Sequence, residues 1–178
     1  MANKKRIKAL LSGERVVTEN SDDARTLNDK NLFGVKTKEN KIQLSLLETA
    51  YLIEKETIQL LDGRNKEIEF EKFIRKAKRM ETNFWTRYCV FRDLRNRGYI
   101  IKTALKFGAD FRVYDRGVKP GKEHAKWIVY AVSEGKTMTW YDFAAKNRVA
   151  HSTKKKLMIG IVDDEGDVTY YEVKWARP

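Results

Sequence analysis

Residues 157–175 read LMIGIVDDEGDVTYYEVKW. Two runs rich in β-branched and aromatic side chains, Leu157 to Val162 and Val168 to Trp175, flank Asp163-Asp164-Glu165-Gly166-Asp167. Runs of this length around a cluster of turn-forming residues are strand signals, so the segment reads as a β-hairpin with a dense acidic tip. Upstream, the same strand-like composition recurs at Tyr99-Ile100-Ile101, Phe111 to Tyr114 and Trp127 to Val132. One helix interrupts the series. Thr139 forms a capping box with Asp142, and the helix it starts is expected to run to about Asn147.

Further towards the N-terminus the period changes. A helix is expected from Asn83 to Asn96, with Trp85, Tyr88, Cys89 and Arg92 on one side, and Gly98 is its stop because glycine accepts the left-handed conformation that ends helices. Another, from about Phe70 to Met80, sets Phe70, Phe73 and Ile74 against a face of Lys and Arg. Ser45 and Glu48 make a capping box for a helix through Tyr51, Leu52 and Ile53. Ile7 to Leu11, Arg15 to Thr18, Ile42 to Leu44 and Ile58 to Leu61 read as short strands, with turns at Ser12-Gly13 and Asp62-Gly63. Asp22-Asp23 and Asn28 to Asn31 read as loops. The pattern describes two α/β modules with a boundary near Phe84.

Composition narrows the partners. Hydrophobic residues make up 42% of the 178, enough to build a core, which argues against wholesale disorder. The net charge of +12 points to a polyanion, nucleic acid before a membrane surface. No apolar run approaches the length of a spanning helix, and the first residues lead into no long apolar region, so an intracellular, soluble protein is expected. The single Cys89 leaves no intramolecular disulfide and no cysteine-rich zinc site. The excess is uneven: 18 Lys+Arg against 14 Asp+Glu up to Phe84, and 19 against 11 from Trp85 onward.

With two histidines, the chain offers few groups for proton transfer near neutral pH. His124 ends the turn-rich Lys119-Pro120-Gly121-Lys122-Glu123-His124, after the Tyr114-Asp115-Arg116-Gly117 turn; it reads equally as a general acid or as a surface histidine in a basic loop. His151 reads as a structural or capping residue. The triplet Lys154-Lys155-Lys156 reads as a solvated basic face, unless it precedes a buried strand. Alternation then sends its members in different directions, and one of them could reach a site.

Three stretches carry a family likeness: YCVFRDLRNRGYIIKTALKFGADFRVYDRG at 88–117, KEHAKWIVY at 122–130, and RVAHSTKKKLMIGIVDDEGDVTYYEVKW at 148–175. From Tyr88 to Pro178 the chain resembles the catalytic domain of the archaeal tRNA-splicing endonucleases. The first half resembles that family's N-terminal domain in length and order more than in motif. The fold expected is α+β or α/β: a small N-terminal α/β domain, 1–84, followed by a catalytic domain, 85–178, with a mixed β-sheet flanked by helices.

The resemblance implies a metal-independent ribonuclease, without cofactors, that cuts precursor tRNA at a bulge-helix-bulge element and leaves a 2′,3′-cyclic phosphate and a 5′-hydroxyl. The family's catalytic tyrosine, histidine and lysine fall on Tyr114, His124 and Lys155. These residue types suit the chemistry. A phenol, with an ordinary pKa near 10, serves as base for the 2′-hydroxyl only beside a cation such as Lys155. Lys155 would also stabilise charge on the phosphoryl oxygens, and His124 as imidazolium would protonate the leaving 5′-oxygen. DNA, lacking the 2′-oxygen, is excluded by this route.

The family also holds a flipped bulge base between two side chains of a neighbouring subunit, often two arginines. Arg148 matches the first, and Trp175 stands at the second, where stacking survives without the charge; packing at an edge strand is the alternative. The tip residues Asp163, Asp164, Glu165 and Asp167 resemble the loop that inserts into a basic cleft of another subunit, against the alternative of a solvated hairpin. A homotetramer in the cytoplasm is implied, a catalytic subunit with a second chain type being the other possibility. Two rival functions remain. Glu172-Val173-Lys174 with Asp163, Asp164 and Asp167 resembles the acidic end of a metal-dependent nuclease site. The basic, aromatic composition equally suits a non-catalytic RNA-binding or architectural subunit.

Overall fold

Alternating burial marks the first strand. In β1 (Ile7–Ser12), Ile7, Ala9 and Leu11 are buried while Lys8, Leu10 and Ser12 are exposed, the period-two signature of a sheet with one covered face. The computed structural model describes residues 6–118, 120–121 and 123–176. They fall into two compact units, one running to Trp85 and the other starting at Thr86.

In the first unit, β1, β2 (Arg15–Thr18), β3 (Val35–Lys36), β4 (Ile42–Leu44) and β5 (Ile58–Leu61) form a sheet in the order β3-β4-β2-β1-β5. β1 and β5 pair in parallel, and the remaining neighbours are antiparallel. Three helices accompany it: α1 (Asp22–Asp29), α2 (Leu46–Glu54) and α3 (Phe70–Met80). The capping box of α2 is complete. Glu48 N donates to Ser45 Oγ at 3.2 Å and Ser45 N donates to Glu48 Oε2 at 2.9 Å. The buried Glu48 also accepts from Gly34 N through Oε1 at 2.9 Å, so both carboxylate oxygens are satisfied. α3 buries Phe73, Ile74 and Ala77.

The second unit holds α4 (Phe84–Asn96) from Thr86 onward, β6 (Ile100–Ala104), β7 (Ala109–Tyr114), β8 (Trp127–Ser133), α5 (Trp140–Ser152), β9 (Lys156–Val162) and β10 (Val168–Val173), with sheet order β10-β9-β8-β7-β6. β8 and β9 are parallel because α5 carries the chain back across the sheet; the other neighbours are antiparallel. The sheet is mixed and flanked by helices on both faces. Register sorts the side chains. Val113, Trp127 and Lys156 stand opposite one another and share a face with Phe111, Gly160 and Tyr170. That face meets α4: the Phe91 and Phe111 rings are 6.2 Å apart, and a Cβ on Gly160 would lie 3.1 Å from Val90 Cγ2. The other face sets Ile128, Tyr130, Leu157 and Ile159 against Ala150 of α5. Among the described residues no helix is long and apolar enough to cross a membrane.

Several expectations need correction. The supposed loop at Asp22-Asp23 is the first turn of α1: Ala24 N donates to Ser21 Oγ at 3.2 Å, and the two aspartates complement the positive end of the helix dipole. Asn28 and Asp29 continue this helix, whose buried residues are Ala24 and Leu27, too sparse an apolar pattern to announce it. α5 continues past Asn147 to Ser152, since its hydrogen bonds run on until Thr153 caps it. β6 extends to Ala104, and β10 stops at Val173, short of Trp175.

Candidate active site

At one end of the second sheet β7 finishes while β8 and β9 begin. Lys126 N donates to Val113 O at 2.9 Å and Lys156 N to Lys126 O at 3.0 Å, carrying the ladder beyond the named strands. One residue further out, Tyr114, Lys126 and Lys155 form a row, and the β9–β10 register extrapolates to Trp175 beside Lys155. With neighbouring strands ~4.8 Å apart, the Tyr114 and Lys155 backbones are about 10 Å apart. Alternation places Tyr114, Lys155 and Trp175 on the α5 face, and Lys156 on the α4 face.

The end of α5 sets the lysines apart. Lys154 has φ +53°, Lys154 N donates to His151 O at 3.0 Å, and Lys155 N donates to Ala150 O at 2.9 Å. These are the two bonds of a Schellman motif, with lysine where glycine is usual. The reversal leaves Lys154 exposed and Lys155 half-buried, its Nζ donating to Thr153 O at 2.9 Å. An ammonium has three donors, so Lys155 keeps capacity for an anion. Lys156 is exposed and pairs with Glu172 at 2.8 Å.

Tyr114 is buried at the end of β7. His124 is exposed, in the loop between β7 and β8; Lys119 and Lys122 of that loop lie outside the described residues. The loop is tied at its base. Lys126 Nζ donates to Asp115 Oδ2, and Arg116 N donates to Asp115 Oδ1 at 2.9 Å. The Lys126 ammonium, helped by the Arg116 amide, holds the Asp115 carboxyl below its ordinary range, and Asp115 raises Lys126 in turn. Lys126 Nζ lies 4.5 Å from the centre of the Trp127 ring and the Arg116 guanidinium 5.0 Å from that of Tyr99; the two rings meet edge to face at 5.9 Å. Sequence reading missed this clamp. The turn at Asp115 was visible, but its partner lies 11 residues on.

Arg148 and Trp175 line one groove of about 640 Å³ with Phe143, Asn147 and His151. Trp175 is 60% exposed, beyond the end of β10, and meets His151 edge to face at 5.0 Å. His151 thus packs against Trp175, while its backbone carbonyl serves the helix cap.

The acidic tip closes the β9–β10 hairpin. Asp163 N donates to Asp167 O at 3.1 Å, Asp167 N to Asp163 Oδ1 at 2.8 Å, and Arg92 to Gly166 O at 3.2 Å. Asp164 and Glu165 are exposed at its apex, beyond the opposite end of β9 from Lys155, an end that is itself about 23 Å away by strand rise. The residues suggested for a metal-dependent nuclease are not assembled. Glu172 accepts from Trp127 Nε1 and Lys156 Nζ, both at 2.8 Å, and Lys156 and then Trp127 hold its carboxyl below the ordinary range. It lies about 16 Å along β10 from Asp167. Among the described residues no group of three or more His, Cys, Asp or Glu is placed to hold a metal ion.

Two family descriptions match the chain: tRNA intron endonuclease, N-terminal domain, over residues 7–74, and tRNA intron endonuclease, catalytic C-terminal domain, over residues 84–170. A tRNA-splicing endonuclease of Methanothermobacter thermautotrophicus is 43% identical over 97% of this chain and 99% of its own. Proteins of the same name from Thermococcus kodakarensis and Nanoarchaeum equitans are 41% and 44% identical, over 94% and 83% of this chain and 96% and 97% of theirs. Catalytic and N-terminal matches together cover most of the sequence, and on them the chain, an endonuclease, belongs to the tRNA-splicing endonuclease family.

Proposed function

We propose that this protein excises introns from precursor tRNA at a bulge-helix-bulge element, without a metal ion, leaving a 2′,3′-cyclic phosphate and a 5′-hydroxyl. The observation that carries the reading is the shared row and face of Tyr114 and Lys155, with the His124 loop clamped beside them by Asp115 and Lys126. Tyr114 takes the proton of the ribose 2′-hydroxyl as its oxygen attacks phosphorus. Lys155 stabilises the charge that builds on the phosphoryl oxygens. His124 gives its proton to the 5′-oxygen as the P–O5′ bond breaks. The catalytic domain is residues 85–178, with an N-terminal domain at 1–84.

Arg148 and Trp175 suit a flipped base, because a guanidinium plane and an indole face both stack on one, and they share a groove of suitable size. Asp164 and Glu165 stand exposed at the apex of the tip formed with Asp163 and Asp167, and an acidic cluster on a chain of net charge +12 suits a basic cleft of another copy in a cytoplasmic homotetramer. The test is incubation of the purified chain with a bulge-helix-bulge RNA in EDTA, followed by analysis of the product ends. Cyclic phosphate is the expected product. Cleavage that disappears with chelation, or products ending in 3′-hydroxyl, would overturn the mechanism, and binding without cleavage would return the chain to an RNA-binding role.

A further inference from the structure

Up to Phe84 the chain carries 18 Lys+Arg and 14 Asp+Glu. α3 alone contributes 5 of those cations, Lys72, Arg75, Lys76, Lys78 and Arg79, and 1 of the acids, Glu71, leaving 13 of each sign in everything else. The positive excess of the N-terminal half therefore sits wholly on one helix. Because Phe73, Ile74 and Ala77 occupy the buried side, all five cations are exposed.

Local structure accounts for part of this. Lys78 Nζ lies 4.9 Å from the centre of the Trp85 ring. Lys72 adds to the backbone amides of Lys66 and Arg64 in holding the Asp62 carboxyl low. Lys78 and Arg79, in the last turn, complement the negative end of the helix dipole. Arg75 and Lys76 have neither use, and Arg75, Lys76 and Arg79 make no ion pair or side-chain hydrogen bond among the described residues. Spacing makes the arrangement costly to the helix. Lys72 with Lys76, and Arg75 with Arg79, are like-charge neighbours one turn apart, whereas a solvated face ordinarily interleaves the two signs.

We infer that this face of α3 is a docking surface for RNA phosphates, built into the N-terminal unit and used by the part of the precursor tRNA that lies outside the cleaved bulge. A polyanion relieves the repulsion among the cations, and phosphate contacts position a substrate without reading its sequence. The inference rests on precursor tRNA being the substrate.

The test replaces Arg75, Lys76 and Arg79 together by glutamine, which keeps helix propensity, and follows binding of precursor tRNA against salt in a cleavage-deficient His124→Ala background. A control chain carries Lys30→Gln, Lys36→Gln and Lys38→Gln, three exposed cations of the same unit. Three lost phosphate contacts lower the slope of log affinity against log salt by at least about 2, so the affinity advantage of the unmodified helix shrinks roughly 20- to 40-fold between 50 and 200 mM salt. In the cleavage-competent chain, kcat at saturating RNA stays unchanged, and the urea midpoint does not fall, because the substitutions remove both like-charge pairs. An unchanged slope, a control that shifts it equally, or a loss confined to kcat would each overturn the inference. A chain with intact α3 that neither binds nor cuts precursor tRNA would instead refute the substrate reading on which it rests.

Discussion

Replacing Lys154 by glycine separates the structural from the chemical roles in the lysine triplet. Lys154 is held at φ +53° to close the two hydrogen bonds that end α5. A left-handed conformation costs a residue with a Cβ about 1–2 kcal/mol. Glycine escapes this but loses roughly 0.5–1 kcal/mol to its greater freedom when unfolded. The exposed Lys154 side chain offers no buried packing to lose. Lys154→Gly should therefore stabilise the chain by about 0.5–1 kcal/mol, raising Tm by roughly 1–4 °C for a protein of this length. Cleavage should be unchanged, because Lys155 keeps its place ahead of β9, while Lys155→Ala should abolish it. Thermal unfolding and single-turnover cleavage on the same preparations read both quantities. A drop in stability would refute the Schellman geometry. A rise in stability with loss of cleavage would transfer the chemical role from Lys155 to Lys154.

Other outcomes follow from the site. His124→Ala should lose about 10²- to 10⁴-fold in cleavage rate, the usual contribution of a positioned proton donor, while RNA binding persists; equal loss of both would remove His124 from the proposed chemistry. Glu172→Ala leaves the indole N–H of the buried Trp127 without its acceptor, which should cost about 1–3 kcal/mol in urea unfolding at neutral pH. The folded Glu172 carboxyl titrates below its ordinary value of 4.5, so its contribution is complete above that pH and disappears as pH falls through the lowered one. The gap between the native chain and Glu172→Ala should narrow on acidification, and a gap that widens would contradict the assignment.

Much of the second unit is legible because its strands are short β-branched and aromatic runs separated by turn residues, and because Thr139 announces α5 through its cap, as Ser45 announces α2 in the first unit. α1 escapes notice, having two buried residues and no recurrent apolar face. The Asp115–Lys126 clamp and the Trp127–Glu172 contact escape for a different reason. Each joins groups 11 or 45 residues apart, and the sequence between them carries no trace of the pairing.

Sequence alone determined the basic charge, the alternation within each strand, the position of the acidic tip and the long motifs by which the chain resembles one family. Those properties are local, or compositional, or inherited along the chain. The direction each lysine of the triplet takes was decided by tertiary structure: the left-handed turn at Lys154 and the register of β9 between β8 and β10 set Lys155 on the α5 face and Lys156 on the α4 face. The parallel pairing of β8 with β9 likewise brings Tyr114 and Lys155 to one end of one sheet. Strand pairing satisfies backbone hydrogen bonds between distant segments, so the partner of a strand, and every side chain it brings near, is fixed only when the whole sheet has formed.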